Sequence, residues 1–231
     1  SNWSTGDRLP LYWKVKKNRM ALAQVLTEIP HEKEWRKVAT RLAGRKVVLA
    51  SASPRRKFLF AQLEIPFIVF PSEVEEEDGI VESSNPAGLA AGLAERKAAD
   101  VLKKSGGDIV IGADTIVVLG KKVFGKPRTK KEAFEFLSEL QGRKHAVYTG
   151  LSVFSASGKR AGGAEKTEVF FYEVGSEPIR AYIQAGEGMD KAGAYGIQGM
   201  GSFLVEKING PLDNVVGLPR LKLLALMKKV I

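Results

Sequence analysis

The sequence contains no cysteine and only two histidines, His31 and His145. The first absence excludes disulfides, thiolate nucleophiles and cysteine-based zinc ribbons. The two histidines are far apart in the chain, which argues against a histidine-rich metal site. No apolar run approaches the roughly 18 residues of a membrane span. The first 20 residues lack the apolar stretch and small-residue cleavage site of a secretory signal. There is no GxxxxGK[ST] phosphate loop, so an ATPase of that kind is unsupported, and the glycines of 196–201 read GxxGxG rather than GxGxxG. The expectation is a protein of a reducing, cytoplasmic setting with no membrane partner.

What is present is ordinary in bulk and uneven in detail. A length of 231 residues suits one large domain or two small lobes. The formal net charge of +10 invites a nucleic-acid reading, but its distribution opposes one. Residues 1–46 hold 11 Lys/Arg against 4 Asp/Glu, whereas the remaining 185 hold 25 against 22. The excess belongs to the front of the chain, and the body lacks basic stripes with interleaved stacking aromatics. Residues 1–45 therefore read as a basic N-terminal extension and 46–231 as the working domain. Part of the extension is compatible with a vector-derived origin, with Met20 as a candidate natural start, and equally with a native segment.

The spacing predicts helix over 20–43, broken at Pro30. Beyond it, strands and helices alternate. KVVLAS (46–51) reads as a strand and RRKFLFAQLE (55–64) as a helix with Phe58, Leu59 and Leu63 on its apolar face. PFIVFPS (66–72) is strand-like, and an acidic loop, EVEEEDG, follows. A long helix over 85–104 opens with Asn85-Pro86 as cap and first position. DIVIGADTIVVLGKKVF (108–124) reads as a strand, a break at Gly112-Ala113, and a hairpin through Gly120. A helix over 130–140, paired strands over 145–159 and 165–174, a helix over 177–186, a strand over 202–210 and a closing helix over 218–230 complete the chain. This is an α/β fold with a mixed sheet.

Five features carry chemistry. In SASPRR (51–56), Ser53 is typed as an N-cap and Pro54 as the first helical residue. The strand before it delivers that helix N-terminus to the carboxyl edge of the sheet, where open α/β sheets bind ligands. Free N–H groups, with the forks of Arg55 and Arg56, make a polyphosphate cradle; the plainer reading is a capped helix with exposed charges. In GADT (112–115), Asp114 interrupts an apolar run, where a carboxylate is costly unless paired, hydrated or bound to a cation. It could bind a divalent metal, accept a proton from water, or simply serve a tight turn. One member of the acidic loop could reach a hard cation, and the rest must be solvated. Lys97 and Lys126 are point charges suited to phosphate, although a solvated helix face is the simpler expectation for Lys97. In MDKAGAYGIQGMG (189–201), glycines permit close backbone approach, and Gln198 offers both a donor and an acceptor to a base edge.

LASASPRR, SEVEEE, AERKA, IGADTIVV, GKP, YTG, DKAGAYGIQG and NVVGLP occur in the order and approximate spacing of one family. Over residues 46–231 the chain resembles the Maf family of nucleoside triphosphate pyrophosphatases, also called septum formation inhibitor proteins. The resemblance implies a mixed, strongly twisted sheet flanked by helices, two lobes around a deep cleft, and a homodimer. It implies hydrolysis between the α and β phosphorus, yielding monophosphate and pyrophosphate, with a divalent cation required. By motif position Asp114 matches the catalytic proton acceptor, and Ser51, Ser53, Arg55 and Arg56 match the phosphate loop. Glu76, Lys97 and Lys126 match further polar residues of the cleft. Arg55, Thr115 and Gln198 resemble the dTTP/UTP branch rather than the 7-methyl-GTP branch. One departure is Gly188, where the family more often has proline; it is expected to loosen that turn.

The resulting expectation is attack of water at the α-phosphorus, with Mg²⁺ or Mn²⁺ held by Asp114 together with Glu76, and Gln198 reading the pyrimidine edge. The alternatives are a house-cleaning hydrolase of inosine or xanthosine triphosphates, a non-enzymatic regulator of cell division, and a nucleic-acid binder acting through residues 1–45.

Overall fold

A computed structural model describes residue 26 and residues 28–74 and 79–231. Most of the helix expected over 20–29 lies outside them, as do residues 75–78 of the acidic loop. The described chain begins in earnest with helix α1 (Glu32–Leu42), which follows Pro30 and a left-handed His31. Then come β1 (Val47–Leu49), α2 (Pro54–Ala61), β2 (Ile68–Val69), β3 (Ile80–Glu82), α3 (Pro86–Ser105), β4 (Ile109–Leu119) and β5 (Lys122–Phe124). The second half holds α4 (Lys130–Leu140), β6 (Lys144–Ser155), β7 (Arg160–Phe171), α5 (Ser176–Gln184), two short 3₁₀ turns, β8 (Val205–Asn209), α6 (Leu212–Val216) and α7 (Arg220–Val230). Among the described residues no helix is long and apolar enough to cross a membrane.

The strands form one mixed sheet in the order β2-β1-β4-β6-β7-β8, with β3 and β5 attached beside β4. β4 is the strand on which the architecture turns. One edge pairs with β6 along nearly its whole length. The other edge is shared: β1 pairs in parallel with Ile109–Ile111, and β5 pairs antiparallel with Val117–Leu119. Between them, residues 112–116 have no strand partner on that edge among the described residues. The sheet therefore splits into two lobes there, with a cleft between them. The expected mixed α/β fold with flanking helices is what the chain forms.

Three sequence expectations change. Gly112-Ala113 is no break; β4 runs continuously because β6 pairs with it throughout. Gly112 serves helix packing instead, as does Gly150. A Cβ on Gly112 would lie 2.1 Å from the Ala94 carbonyl oxygen, and one on Gly150 would lie 2.0 Å from that of Ala90. Helix α3 thus lies with its backbone directly on β4 and β6. The second change is in α2. Its buried stripe is Arg56, Leu59 and Phe60, continued by Leu63, which is the i, i+3, i+4, i+7 pattern of one helix face. Phe58 falls off that stripe and is exposed. The strand expected at 202–210 starts only at Val205, because residues 199–204 take a 3₁₀ turn.

The alternation of β4 follows from the two-residue period of a strand. Gly112, Asp114, Ile116 and Val118 face α3. Ala113, Thr115 and Val117 face the opposite layer, where α6 and α7 pack near β6 and β7. Gly150→Ala tests the close approach. Forcing α3 off the sheet should cost about 1–3 kcal/mol, as overpacking typically does. Thermal unfolding should show a midpoint lowered by several degrees; an unchanged midpoint would show that the helix backs away freely.

Candidate active site

The cleft holds a cavity of about 360 Å³ lined from both lobes. Ser51, Ser53, Arg55, Arg56, Lys97, Asp114, Thr115, Lys126 and Gln198 all line it. The structure thus brings together every expected site residue except Glu76, which lies outside the described residues.

The first wall is the loop from β1 into α2. Ser53 caps the helix, its hydroxyl accepting from Arg56 N–H at 3.4 Å, and Pro54 begins it. This leaves the helix N-terminus and its positive potential at the cavity. The two arginines differ sharply. Arg56 is buried, donating from Nε to Gly217 O (2.9 Å), from one terminal nitrogen to Ser51 Oγ (3.1 Å) and from the other to Thr115 Oγ1 (3.0 Å). Its fork serves first to tie the loop to β4 and to the turn after α6. Arg55 is half-exposed, 3.5 Å from the Asp190 carboxylate across the mouth. Burial alone would raise the Asp190 carboxyl, but the hydrogen bond and charge of Lys191, with Arg55, hold it below its ordinary value.

The second wall is β4 with α3. Lys97 Nζ donates to Asp114 Oδ1 at 2.6 Å, with both side chains almost fully buried. A solvated helix face is ruled out for this lysine. It sits on the buried stripe of α3, with Ala90, Leu93, Ala94, Ala98 and Val101. That stripe is readable in the sequence, and a lysine within it is the signal that it has a buried partner. Two charges so enclosed are tolerable only because they meet.

The third wall is the loop of residues 187–201. Gly196 N–H donates to Tyr182 Oη at 3.1 Å, and the Glu187 carboxylate accepts from the N–H groups of Met200 and Gly201 at 2.8 and 3.1 Å. These bonds brace Gln198 from both sides. Gly188 does not loosen the turn: a Cβ there would lie 2.0 Å from Ala194 O, so the glycine lets two backbone segments touch. Tyr195 lines the cavity and was not singled out by sequence reasoning. Its hydroxyl lies 2.8 Å from His145 Nε2, and both rings pack edge-on against Phe171. Burial keeps the His145 imidazole neutral, pulling its pKa down to about 3.

Chemically, the cavity offers an anion cradle on one side and a carboxylate paired with an ammonium on the other. Among the described residues no group of three His, Cys, Asp or Glu side chains is placed to hold a metal by itself.

The chain has relatives among known proteins. A family model described as Maf-like protein matches residues 46–230. A dTTP/UTP pyrophosphatase of Bacillus anthracis is 45% identical over 185 residues, spanning 80% of this chain and 95% of its own. One from Thermoanaerobacter sp. (strain X514) is 47% identical over 186 residues, spanning 80% and 96%. Among solved structures, a nucleoside-triphosphatase / dITP/XTP pyrophosphatase from Mycobacterium abscessus aligns at TM-score 0.39 and 14% identity, over 56% of this chain and 75% of that one.

Two measurements follow from the site's electrostatics. Lys97→Met strands a buried carboxylate and should cost about 3–5 kcal/mol in urea unfolding. Adding Asp114→Asn to that variant should recover a large part of the loss; a further loss would mean that the two groups do not depend on each other. His145 stays neutral when folded but protonates near pH 6.5 when unfolded, as free imidazole does. The unfolded chain therefore binds more protons across the window from about 6.5 down to about 3, and stability falls as pH falls through it. Between pH 6.5 and 5, above most carboxylate titration, the wild type should lose up to about 1 kcal/mol per pH unit more than His145→Gln. Parallel slopes would remove His145 from the balance.

Proposed function

The chain belongs to the Maf-like protein family, and on that premise we propose that it is a nucleoside triphosphate pyrophosphatase acting on dTTP and UTP. The observation that carries the reading is the meeting, in one cavity, of the α2 N-terminus with its arginines and the buried Lys97–Asp114 pair. A cradle for phosphate faces a carboxylate that can manage a proton. The helix N-terminus, Ser51, Ser53, Arg55 and Lys126 take the phosphates, with Arg56 behind them. Asp114 accepts a proton from water as the water oxygen bonds to the α-phosphorus. The bridge between α and β phosphorus breaks, and pyrophosphate leaves with the bond's electron pair. Lys97, bonded to Asp114 Oδ1, holds the carboxylate in place beside the cradle. General-base assistance of this kind is worth about 10²–10⁴ in rate.

A divalent cation fits this donor set. Mg²⁺ is commonly held by one or two carboxylates plus substrate phosphate oxygens, and Asp114 is a carboxylate beside a phosphate cradle. Asp114, joined by Glu76 of the acidic loop, would hold Mg²⁺ or Mn²⁺. When bound, the cation would neutralise phosphate charge and polarise the phosphorus. Gln198, braced by its loop, reads the base: its amide meets the O4 acceptor and N3–H donor of a uracil or thymine ring together. Thr115 and Arg55 complete the substrate contacts. The reading extends to free nucleotide in the cytoplasm and to no role for nucleic acid, as composition and charge distribution lead one to expect, and to a homodimer, as the family resemblance implies.

The test is pyrophosphate release across UTP, dTTP, CTP, dITP and XTP, with and without Mg²⁺ or Mn²⁺. The pyrimidine pair should lead, and metal should be required. Asp114→Asn should lose about 10²-fold or more with the fold intact. Gln198→Ala should narrow the UTP-over-CTP preference by about 1–3 kcal/mol. Preference for dITP or XTP, or full activity in Asp114→Asn, would overturn the assignment.

A further inference from the structure

Behind the phosphate loop, polar groups form a chain whose direction is fixed atom by atom. Thr149 Oγ1 lies 2.8 Å from the main-chain oxygen of Asn214. A carbonyl only accepts, so the single Thr149 hydroxyl proton is committed there. The 2.9 Å contact between Thr149 Oγ1 and Thr115 Oγ1 then has one solution, in which Thr115 donates. Thr115 Oγ1 accepts in turn from Arg56 at 3.0 Å. Arg56 is further held by the Gly217 carbonyl at 2.9 Å and donates to Ser51 Oγ at 3.1 Å. Ser51 Oγ also accepts from the Ser53 N–H at 3.3 Å.

A hydroxyl has two lone pairs and one proton. Both Ser51 lone pairs are engaged, by Arg56 and by Ser53 N–H. Its proton has only donation left, and among the described residues no acceptor meets it. Ser51 lines the cavity, so the remaining direction is toward whatever anion sits there.

We propose that Thr149 is a positioning residue for phosphate binding, which acts through Thr115 and Arg56 to make the Ser51 hydroxyl a dedicated donor to an anionic oxygen in the cavity. Thr149 itself is fully buried and does not line the cavity. It faces Thr115 directly across the β4–β6 pairing, so the register of the sheet places the two hydroxyls together. A valine at that position keeps the shape but removes both the donor to Asn214 O and the acceptor for Thr115. The Thr115 proton is then without its acceptor, and its oxygen is free to turn from Arg56. The identity of the anion as a nucleoside triphosphate rests on the reaction proposed above; the orientation of Ser51 does not.

The experiment compares wild type, Thr149→Val, Thr149→Ser, Ser51→Ala and the Ser51→Ala/Thr149→Val double variant. Two quantities are read: the Kd of inorganic pyrophosphate by calorimetry, and KM and kcat for UTP. Thr149→Val should weaken pyrophosphate binding about tenfold, the scale of one lost buried hydrogen bond, and raise KM more than it lowers kcat. Thr149→Ser, which keeps the hydroxyl, should recover most of the loss. In the Ser51→Ala background, Thr149→Val should add little, because the donor that it orients is gone. Additive losses in the double variant, or a lowered Tm with unchanged pyrophosphate affinity, would overturn the proposal. Should Thr149→Val fail to fold, Thr149→Ala carries the same comparison under the same criteria. If the expected pyrophosphate pattern appears in a chain that hydrolyses no nucleotide, the positioning role stands and the proposed reaction falls.

Discussion

The organisation of this protein depends on one interruption in one strand. β4 is paired along nearly its whole length on one edge, but only at its ends on the other. Unpaired backbone within a protein needs water, side chains or a ligand to satisfy it. Placing the interruption at the middle of the central strand creates a polar seam inside an otherwise apolar sheet. Because successive residues of a strand face opposite sides, the seam presents Asp114 to one layer and Thr115 to the other. The cleft can therefore draw on both layers of the fold at once. Lys97 comes from the helix above, and Arg56 with the loop of Ser51 from the layer below.

Much of this was legible in the sequence, and for identifiable reasons. The alternation of strands and helices is written in apolar periodicity, and SASPRR announces a capped helix N-terminus in plain chemistry. Asp114 was conspicuous because a carboxylate in an apolar run needs a partner. What the sequence concealed is chiefly who the partners are. Glycine and alanine in GADT look like a turn, yet both are strand residues, and the glycine is what lets α3 come close. Arg56 looks like a phosphate ligand, and only the folded chain brings Gly217, Ser51 and Thr115 to its three nitrogens. Thr149 and Asn214 lie within matched motifs, but nothing local marks a hydroxyl that answers to a residue 34 positions away. Lys97 was readable in principle, because it lies on the helix's own buried stripe.

The buried polar groups also tie distant parts of the chain to one another, and such groups are costly to bury without partners. Here the Arg56 network joins α2, β4, β6 and the turn after α6, four elements from distant parts of the chain. The loop of residues 187–201 is braced separately, through Tyr182 and Glu187. The loop of Ser51 and the loop of residues 187–201 thus have separate internal supports and meet at the mouth through Arg55 and Asp190.

The Arg55–Asp190 contact at the mouth has a consequence for how charged molecules enter. The outermost arginine already has a counter-ion of the protein's own making, so an arriving anion does not simply add to a bare positive site but trades places with a tethered one. Such a swap favours guests with enough negative charge to win it, and it blunts the attraction of small background ions that would otherwise crowd the entrance.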